Sequence, residues 1–211
     1  MSEQLDEAEL NARANEKARK RKEVRARMLA TKTIEKGLLM VHTGKGKGKS
    51  TAAFGLAMRA IGNGMRVGIV QFVKGKWETG ERRALERFPD QVDIRTMGEG
   101  FTWETQDRAR DIAAARAAWD ASRAMIDACD GPSPKYHMVI LDELNIVLRY
   151  DYLPLGDVVA FLARKPPSLH VVVTGRNAKP ELIEIADLVT EMTLVKHSFQ
   201  AGVKAQKGIE F

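Results

Sequence analysis

The sequence has a single cysteine, no long apolar run and no apolar segment near its N-terminus. Cys129 alone excludes an internal disulfide framework and favours a reducing compartment. No apolar stretch approaches the roughly 18 residues that a membrane-spanning helix requires. The acidic N-terminus lacks the apolar segment of a secretory signal. We therefore expect a cytoplasmic protein that has no membrane partner.

Positive charge is in moderate excess and is concentrated near the N-terminus. The 211 residues include 34 Lys and Arg against 28 Asp and Glu, a formal net charge of +6. Residues 13–32 are rich in Lys and Arg, contain no glycine or proline, and favour a helix. This run has few apolar residues and no aromatic ring on which a nucleobase could stack. We predict a basic, solvated helical arm over residues 1–33 and one folded domain over residues 34–211, with no nucleic-acid partner; a nucleic-acid-binding module is the alternative.

Short apolar runs alternate with segments of helical periodicity along the rest of the chain. Near-continuous apolar strands that alternate with helices are typical of a parallel sheet covered on both faces. The sequence therefore predicts an α/β fold with a mostly parallel sheet and helices on both faces. The predicted strands cover residues 38–42, 67–72, 92–96, 138–141, 169–174 and 188–194, and the predicted helices cover residues 51–61, 79–88, 105–129, 155–163 and 180–186.

The strongest motif is the run TGKGKGKST at residues 43–51, which follows a predicted strand and begins a predicted helix. Its glycines allow backbone N–H groups to surround phosphate oxygens, and the helix N-terminus adds the positive end of its dipole. Lys49 would place an ammonium group on the phosphates, and Ser50 would offer a hydroxyl group to Mg²⁺. The sequence thus predicts a phosphate-binding loop.

The spacing of this loop departs from the common pattern G-x-x-x-x-G-K-[ST]. Thr43 stands where that pattern has its first glycine, so the loop begins at Gly44 and is one residue shorter. Lys45 and Lys47 add two further positive charges to it. This charge suggests a site that holds a whole polyphosphate chain firmly, as it would hold a leaving group.

Two adjacent carboxylates follow a buried strand. Asp142 and Glu143 come directly after the apolar run at residues 138–141, and a carboxylate in this place beside a phosphate loop commonly holds Mg²⁺. The sequence does not decide which of the two contacts the metal, and capping of the next helix is the alternative role for Asp142.

No general base stands out in the sequence. The four histidines are scattered, and both His42 and His170 lie in apolar strands, where a structural histidine is the simpler interpretation. Glu143 could activate a water molecule, which keeps an ordinary ATPase or kinase as an alternative function.

Several short motifs together indicate a family. They are GKGKGKST (44–51), FVKG (72–75), FTWETQ (101–106), LDEL (141–144), TGR (174–176), ADLVTEM (186–192) and AQKGIEF (205–211). In these motifs and their order, the chain resembles the ATP:corrinoid adenosyltransferases of the cob(I)yrinic acid a,c-diamide or cob(I)alamin type, which share a RecA-like phosphate-loop fold. Two positions depart from the family's usual residues. Lys45 stands where asparagine is frequent, and Ser198 stands where proline is frequent.

The resemblance implies a reaction that needs no protein base. In this family the 5′-deoxyadenosyl group of ATP moves to the Co(I) of a corrinoid, either cobyrinic acid a,c-diamide or cobalamin, in adenosylcobalamin biosynthesis or salvage. ATP binds in the sense opposite to that of ordinary phosphate-loop enzymes, and triphosphate leaves. Because Co(I) is already a strong nucleophile, catalysis depends on positioning the ribose C5′ and stabilising the departing charge.

The resemblance also implies roles for particular residues and partners. Lys47 and Lys49 would offset the charge of the leaving triphosphate, and Phe101 and Trp103 would cover the lower face of the corrinoid. Ser50 and Glu143, with Asp142 beside them, would hold Mg²⁺, for which Mn²⁺ could substitute. The implied partners are a second copy of the chain, whose arm closes over the site, and a flavoprotein reductant. The predicted nucleotide-binding residues are Gly44, Lys45, Gly46, Lys47, Gly48, Lys49, Ser50, Thr51 and Arg59.

Replacement of one aromatic residue tests the predicted role of the FTWETQ motif. Loss of the lower axial ligand makes Co(II) easier to reduce, and Trp103 is expected to keep that ligand away. We expect Trp103→Ala to slow the adenosylation of a Co(II) substrate by about tenfold or more, and that of chemically reduced Co(I) far less. The rate of adenosylcobalamin formation from each substrate measures this, and equal losses on both would contradict the assignment.

Overall fold

The computed structural model describes residues 6–73, 79–97 and 107–210, and its contacts divide the chain into two units, Met1–Glu35 and Lys36–Phe211. The first unit contains one helix, α1 (Glu7–Ala30), which confirms the helix predicted from the basic run. None of its residues is buried, as expected for a segment with so few apolar side chains. The Phe101 and Trp103 predictions lie outside the described residues.

The second unit is built on a sheet of six parallel strands. The strands are β1 (Leu39–Thr43), β2 (Val67–Gln71), β3 (Val92–Thr96), β4 (Met138–Asp142), β5 (His170–Thr174) and β6 (Leu188–Glu191). Their order across the sheet is β3-β2-β4-β5-β1-β6, and every neighbouring pair is parallel. The predicted α/β fold with a parallel sheet is confirmed.

Helices connect the strands and cover both faces of the sheet. They are α2 (Lys49–Gly62), α3 (Gly80–Leu85), α4 (Arg108–Asp127), α5 (Leu144–Arg149), α6 (Leu155–Ala163) and α7 (Pro180–Ile185). A 3₁₀ turn at Ser198–Ala201 follows the last strand. No helix in the described ranges is long and apolar enough to span a bilayer.

Alternation of side chains along the strands divides the core into two layers. In β4, Met138 and Ile140 join the cluster formed with Phe54 of α2, whereas Val139 and Leu141 join the cluster on the opposite face. The cluster on the opposite face contains the buried apolar residues of α4, α5, α6 and α7. Because both faces of the sheet are covered, its four central strands β2, β4, β5 and β1 are buried at almost every position. The edge strands β3 and β6 are half-buried and exposed, respectively.

Most predicted elements differ from the structure by one to three residues at an end, and one short helix had no predicted bounds. The last strand ends at Glu191 rather than at residue 194. Beyond it the backbone turns to the phosphate loop, where the Met192 carbonyl accepts a hydrogen bond from the Gly46 N–H (2.7 Å). The bounds of helix α5 were not predicted, because its six residues are too few to show a helical period.

Glycine is required where the tip of β5 meets the start of α5. Gly175 has φ +130°, and a Cβ added there would lie 2.8 Å from Asn145 Cβ. The Asn145 side-chain amide also donates to the Gly175 carbonyl (3.1 Å). The ends of β4 and β5 are thereby held together.

Alanine at this position should destabilise the fold. We expect Gly175→Ala to lower the free energy of unfolding by about 2 kcal/mol or more, because the new Cβ combines backbone strain with a steric clash. Gly55→Ala is the control, since Gly55 lies in α2 with open space around it, and there alanine should stabilise by up to about 1 kcal/mol. Denaturant unfolding measures both changes, and equal midpoints would contradict the prediction.

Candidate functional site

The phosphate loop is a tight turn packed against the chain that follows β6. Its first glycine, Gly44, has φ +95°, and a Cβ there would lie 2.4 Å from the Met192 carbonyl oxygen. The Met192 N–H donates to the Thr43 carbonyl (2.9 Å), which continues the pairing of β6 with β1 into the loop. The backbone of the loop is therefore held in place by contacts with the chain that follows β6. Helix α2 begins at Lys49, within the last part of the loop.

Lys49 turns back into the loop. Its ammonium group donates to the Gly46 carbonyl. Burial lowers the pKa of Lys49, the positive charges of Arg176 and Lys47 lower it further, and the Glu143 carboxylate opposes them. The group is thus a partly buried cation among other cations, an environment that an anionic ligand would improve.

The two carboxylates at the end of β4 have different surroundings. Asp142 is fully buried, and its Oδ1 and Oδ2 atoms accept hydrogen bonds from the Thr174 hydroxyl (2.8 Å) and the Gln71 side-chain amide (3.2 Å). Glu143 is only partly buried and lines a cleft beside the phosphate loop. Asp142 does not cap the following helix, because the N-cap position belongs to Glu143.

Thr174 sets the position of Glu143. The Thr174 hydroxyl accepts a hydrogen bond from the Glu143 N–H (2.8 Å) while it donates to Asp142. Glu143 has φ +67°, a conformation that is costly for a residue with a side chain and that clusters at functional sites. The buried Asp142–Thr174 pair thus fixes the backbone that presents the Glu143 carboxylate.

The loop, the end of β4 and the end of β5 enclose one cleft of about 470 Å³. Four cationic side chains and three carboxylates line it, which is a strongly charged surface for a cavity of this size. The lining residues are Gly46, Lys47, Gly48, Lys49, Ser50, Thr51, Val73, Glu81, Glu143, Ile146, Arg149, Tyr150, Gly175, Arg176, Ile209 and Glu210. This composition suits a ligand that is both polyanionic and metal-bound.

Most residues predicted from the loop motif come together at this cleft, but three of the predicted nucleotide-binding residues do not line it. Gly44 is buried behind the loop, and the Lys45 side chain is exposed outside the cleft lining. Arg59 is exposed in the last turn of α2, about 15 Å from Lys49 along the helix axis at roughly 1.5 Å per residue. These nucleotide-binding roles remain predictions.

The histidines have structural roles. The Nδ1 atoms of His137, His170 and His197 accept hydrogen bonds from the backbone N–H groups of Arg66 (3.1 Å), Leu38 (3.1 Å) and Phe199 (3.0 Å). His42 is buried in β1, with Nδ1 3.4 Å from the Lys49 carbonyl oxygen. None of the four lines the cleft as the described residues form it.

Sequence reasoning assigned no role to several residues that line the cleft or, like Thr174, lie buried behind it. Thr174 and Arg176 belong to the TGR motif, and Glu210 to the AQKGIEF motif, so the motifs themselves were the available signal. Glu210 forms an ion pair with Lys47, and its neighbour Ile209 also lines the cleft. The C-terminal segment therefore supplies an anion to a lysine that was predicted to bind phosphate.

Comparison with known proteins gives one consistent result. The family described as ATP:corrinoid adenosyltransferase BtuR/CobO/CobP matches residues 35–211. A corrinoid adenosyltransferase of Sinorhizobium sp is 54% identical over 203 residues, which cover 95% of this chain and 92% of the relative. That of Pseudomonas aeruginosa is 52% identical over 96% of this chain and 98% of its own length. Corrinoid adenosyltransferase CobA of Salmonella typhimurium is 48% identical over 84% of this chain and 87% of its own length.

The Lys47–Glu210 ion pair predicts competition between the C-terminal segment and an anionic ligand. Glu210→Gln should bind inorganic triphosphate about two- to fivefold more tightly, because Lys47 would no longer have to leave a carboxylate. Calorimetric titration measures the affinity. Glu181→Gln removes the same charge from an exposed position on α7 and serves as the control. Equal affinities for the two variants would show that the ion pair does not oppose ligand binding.

Proposed function

The chain belongs to the family of ATP:corrinoid adenosyltransferases, and on this premise we propose how the described cleft carries out the family's reaction. The protein transfers the 5′-deoxyadenosyl group of ATP to the cobalt of a corrinoid and releases triphosphate. This reaction is a step of adenosylcobalamin biosynthesis. The observation that carries the proposal is the cleft itself, in which a shortened phosphate loop, Arg176 and Glu143 face a single cavity.

In this mechanism the protein binds and orients the nucleotide and contributes no base. Co(I) attacks the ribose C5′, the bond between C5′ and the triphosphate oxygen breaks, and triphosphate leaves with the bonding electrons. Lys47, Lys49 and Arg176 line the cleft and would stabilise the charge on that leaving group. The structural roles of the four histidines are compatible with this chemistry, because no proton has to be removed from the nucleophile.

A divalent cation fits the oxygen donors of the cleft. Ser50 offers a hydroxyl group and Glu143 a carboxylate to the same cavity, and Mg²⁺ is commonly bound by one or two protein oxygens together with substrate phosphates. Asp142 would act indirectly: it accepts the hydrogen bond from Thr174, and Thr174 in turn holds the Glu143 backbone. Bound there, Mg²⁺ or Mn²⁺ would neutralise part of the charge on the triphosphate.

The remaining parts of the proposal are supported by the sequence. Phe101 and Trp103 stand in the FTWETQ motif and would cover the lower face of the corrinoid. A homodimer in which the basic arm of one chain closes over the partner's site would give the exposed α1 helix a function, and a flavoprotein would supply the electron. A cytoplasmic location agrees with the lone Cys129, which is buried and whose pKa is raised by that burial.

Product analysis tests the proposed reaction. With ATP, Mg²⁺ and chemically reduced cob(I)alamin, we expect adenosylcobalamin and triphosphate in equal amounts. Formation of ADP instead would indicate phosphoryl transfer and would favour an ordinary ATPase or kinase.

A carboxylate variant in the same assay tests the metal site. Glu143→Gln should lower the rate by roughly 100-fold at limiting Mg²⁺, with partial recovery at high Mg²⁺, because it removes a charged metal ligand. Glu181→Gln, which changes a carboxylate outside the cleft, should retain the wild-type rate and Mg²⁺ dependence. An unchanged Mg²⁺ dependence in Glu143→Gln would contradict the assignment.

A further inference from the structure

An aromatic ring stands at the end of α5 in the same cleft as the phosphate loop. Tyr150 follows the last residue of α5 and lines the cavity together with Ile146 and Arg149. Its side chain is 39% exposed, so the surrounding core does not enclose it. The Arg149 guanidinium lies 5.5 Å from the centre of the Tyr150 ring.

The ring is held in place by its neighbours. Tyr152 is buried, and its ring stacks on that of Tyr150 with centres 5.6 Å apart and planes inclined by 23°. The backbone N–H groups of Tyr150 and Tyr152 donate to the carbonyls of Ile146 (3.1 Å) and Val147 (3.0 Å). A ring fixed in this way offers contact area in the cleft at little cost in side-chain entropy.

We propose that Tyr150, together with Arg149, forms the platform on which the adenine ring of ATP stacks. This inference rests on the proposed function and adds the nucleobase site to it. Aromatic rings and guanidinium planes both stack well on flat heterocycles. The platform and the phosphate loop line one cavity, and ATP is the substrate that carries both a polyphosphate and a flat base.

The platform also explains how the reacting carbon is placed. With the phosphates held at Lys49 and the base held at Tyr150, the ribose between them has little freedom to rotate. Glu143 lines the same cavity. Because both the phosphates and the base of ATP are held, the ribose C5′ is positioned for attack. A reaction that uses no protein base depends on such positioning of the substrate.

The test compares two ligands that share the phosphates but differ in the base. Tyr150→Ala should weaken ATP binding by about tenfold to a hundredfold, because one stacking contact is lost, and should leave the affinity for inorganic triphosphate within about twofold. Tyr150→Phe keeps the ring and should bind ATP as the wild-type protein does. Phe88→Ala removes a ring of similar exposure (37%) outside the cleft and should change neither affinity.

Calorimetric titration of each variant with each ligand gives the outcome. Equal losses for ATP and triphosphate, or no loss for ATP, would overturn the proposal. So would a variant whose ATP affinity is normal while its affinity for cob(II)alamin falls, since the platform would then face the corrinoid. If Tyr150→Ala does not fold, as judged by thermal unfolding, Tyr150→Leu replaces it in the same comparison. Failure of the proposed function is detected separately, because wild-type ATP binding without adenosylcobalamin formation would contradict that function alone.

Discussion

Positive charge gathered at the carboxyl edge of the sheet is the constraint on which the site depends. Lys47, Lys49 and Arg176 line one cleft, and the pKa of Lys49 is lowered by burial and by the other two cations. Such a group of like charges opposes folding unless anions are close to it. Glu143 and Glu210 supply part of that negative charge, and a triphosphate would supply much more. The free protein is therefore built to bind a polyanion.

The backbone around this charge is fixed by contacts between distant parts of the chain. The phosphate loop is tied to Met192 beyond the last strand, and the Glu143 backbone is tied to Thr174 at the end of β5. Asp142, although it is one of the two carboxylates of the LDEL motif, lies fully buried behind Thr174. These contacts fix the backbone of the site, which suits a reaction whose catalysis consists of positioning and charge stabilisation.

The placement of the four histidines agrees with the chemistry of the family. His137, His170 and His197 use Nδ1 to accept backbone hydrogen bonds, and His42 is buried against the start of α2. In a phosphate-loop hydrolase, a carboxylate such as Glu143 would activate water. In the mechanism that we propose, the corrinoid cobalt brings its own electron pair, which would leave the same carboxylate available for Mg²⁺.

The sequence by itself determined the sheet, the phosphate loop and the family, because strand hydrophobicity and the glycine-lysine spacing are local properties of the chain. It could not separate Asp142 from Glu143, since that difference arises from hydrogen bonds to Thr174 and Gln71, which are distant in sequence. It did not give the bounds of helix α5, which is too short to show a period, and it gave no sign that the Tyr150 ring lines the same cleft as the phosphate loop. The ion pair between Lys47 and Glu210 was likewise decided by tertiary structure alone, because the fold brings the C-terminal segment to the loop. Long-range contacts, which no local pattern encodes, select the residues that face the ligand.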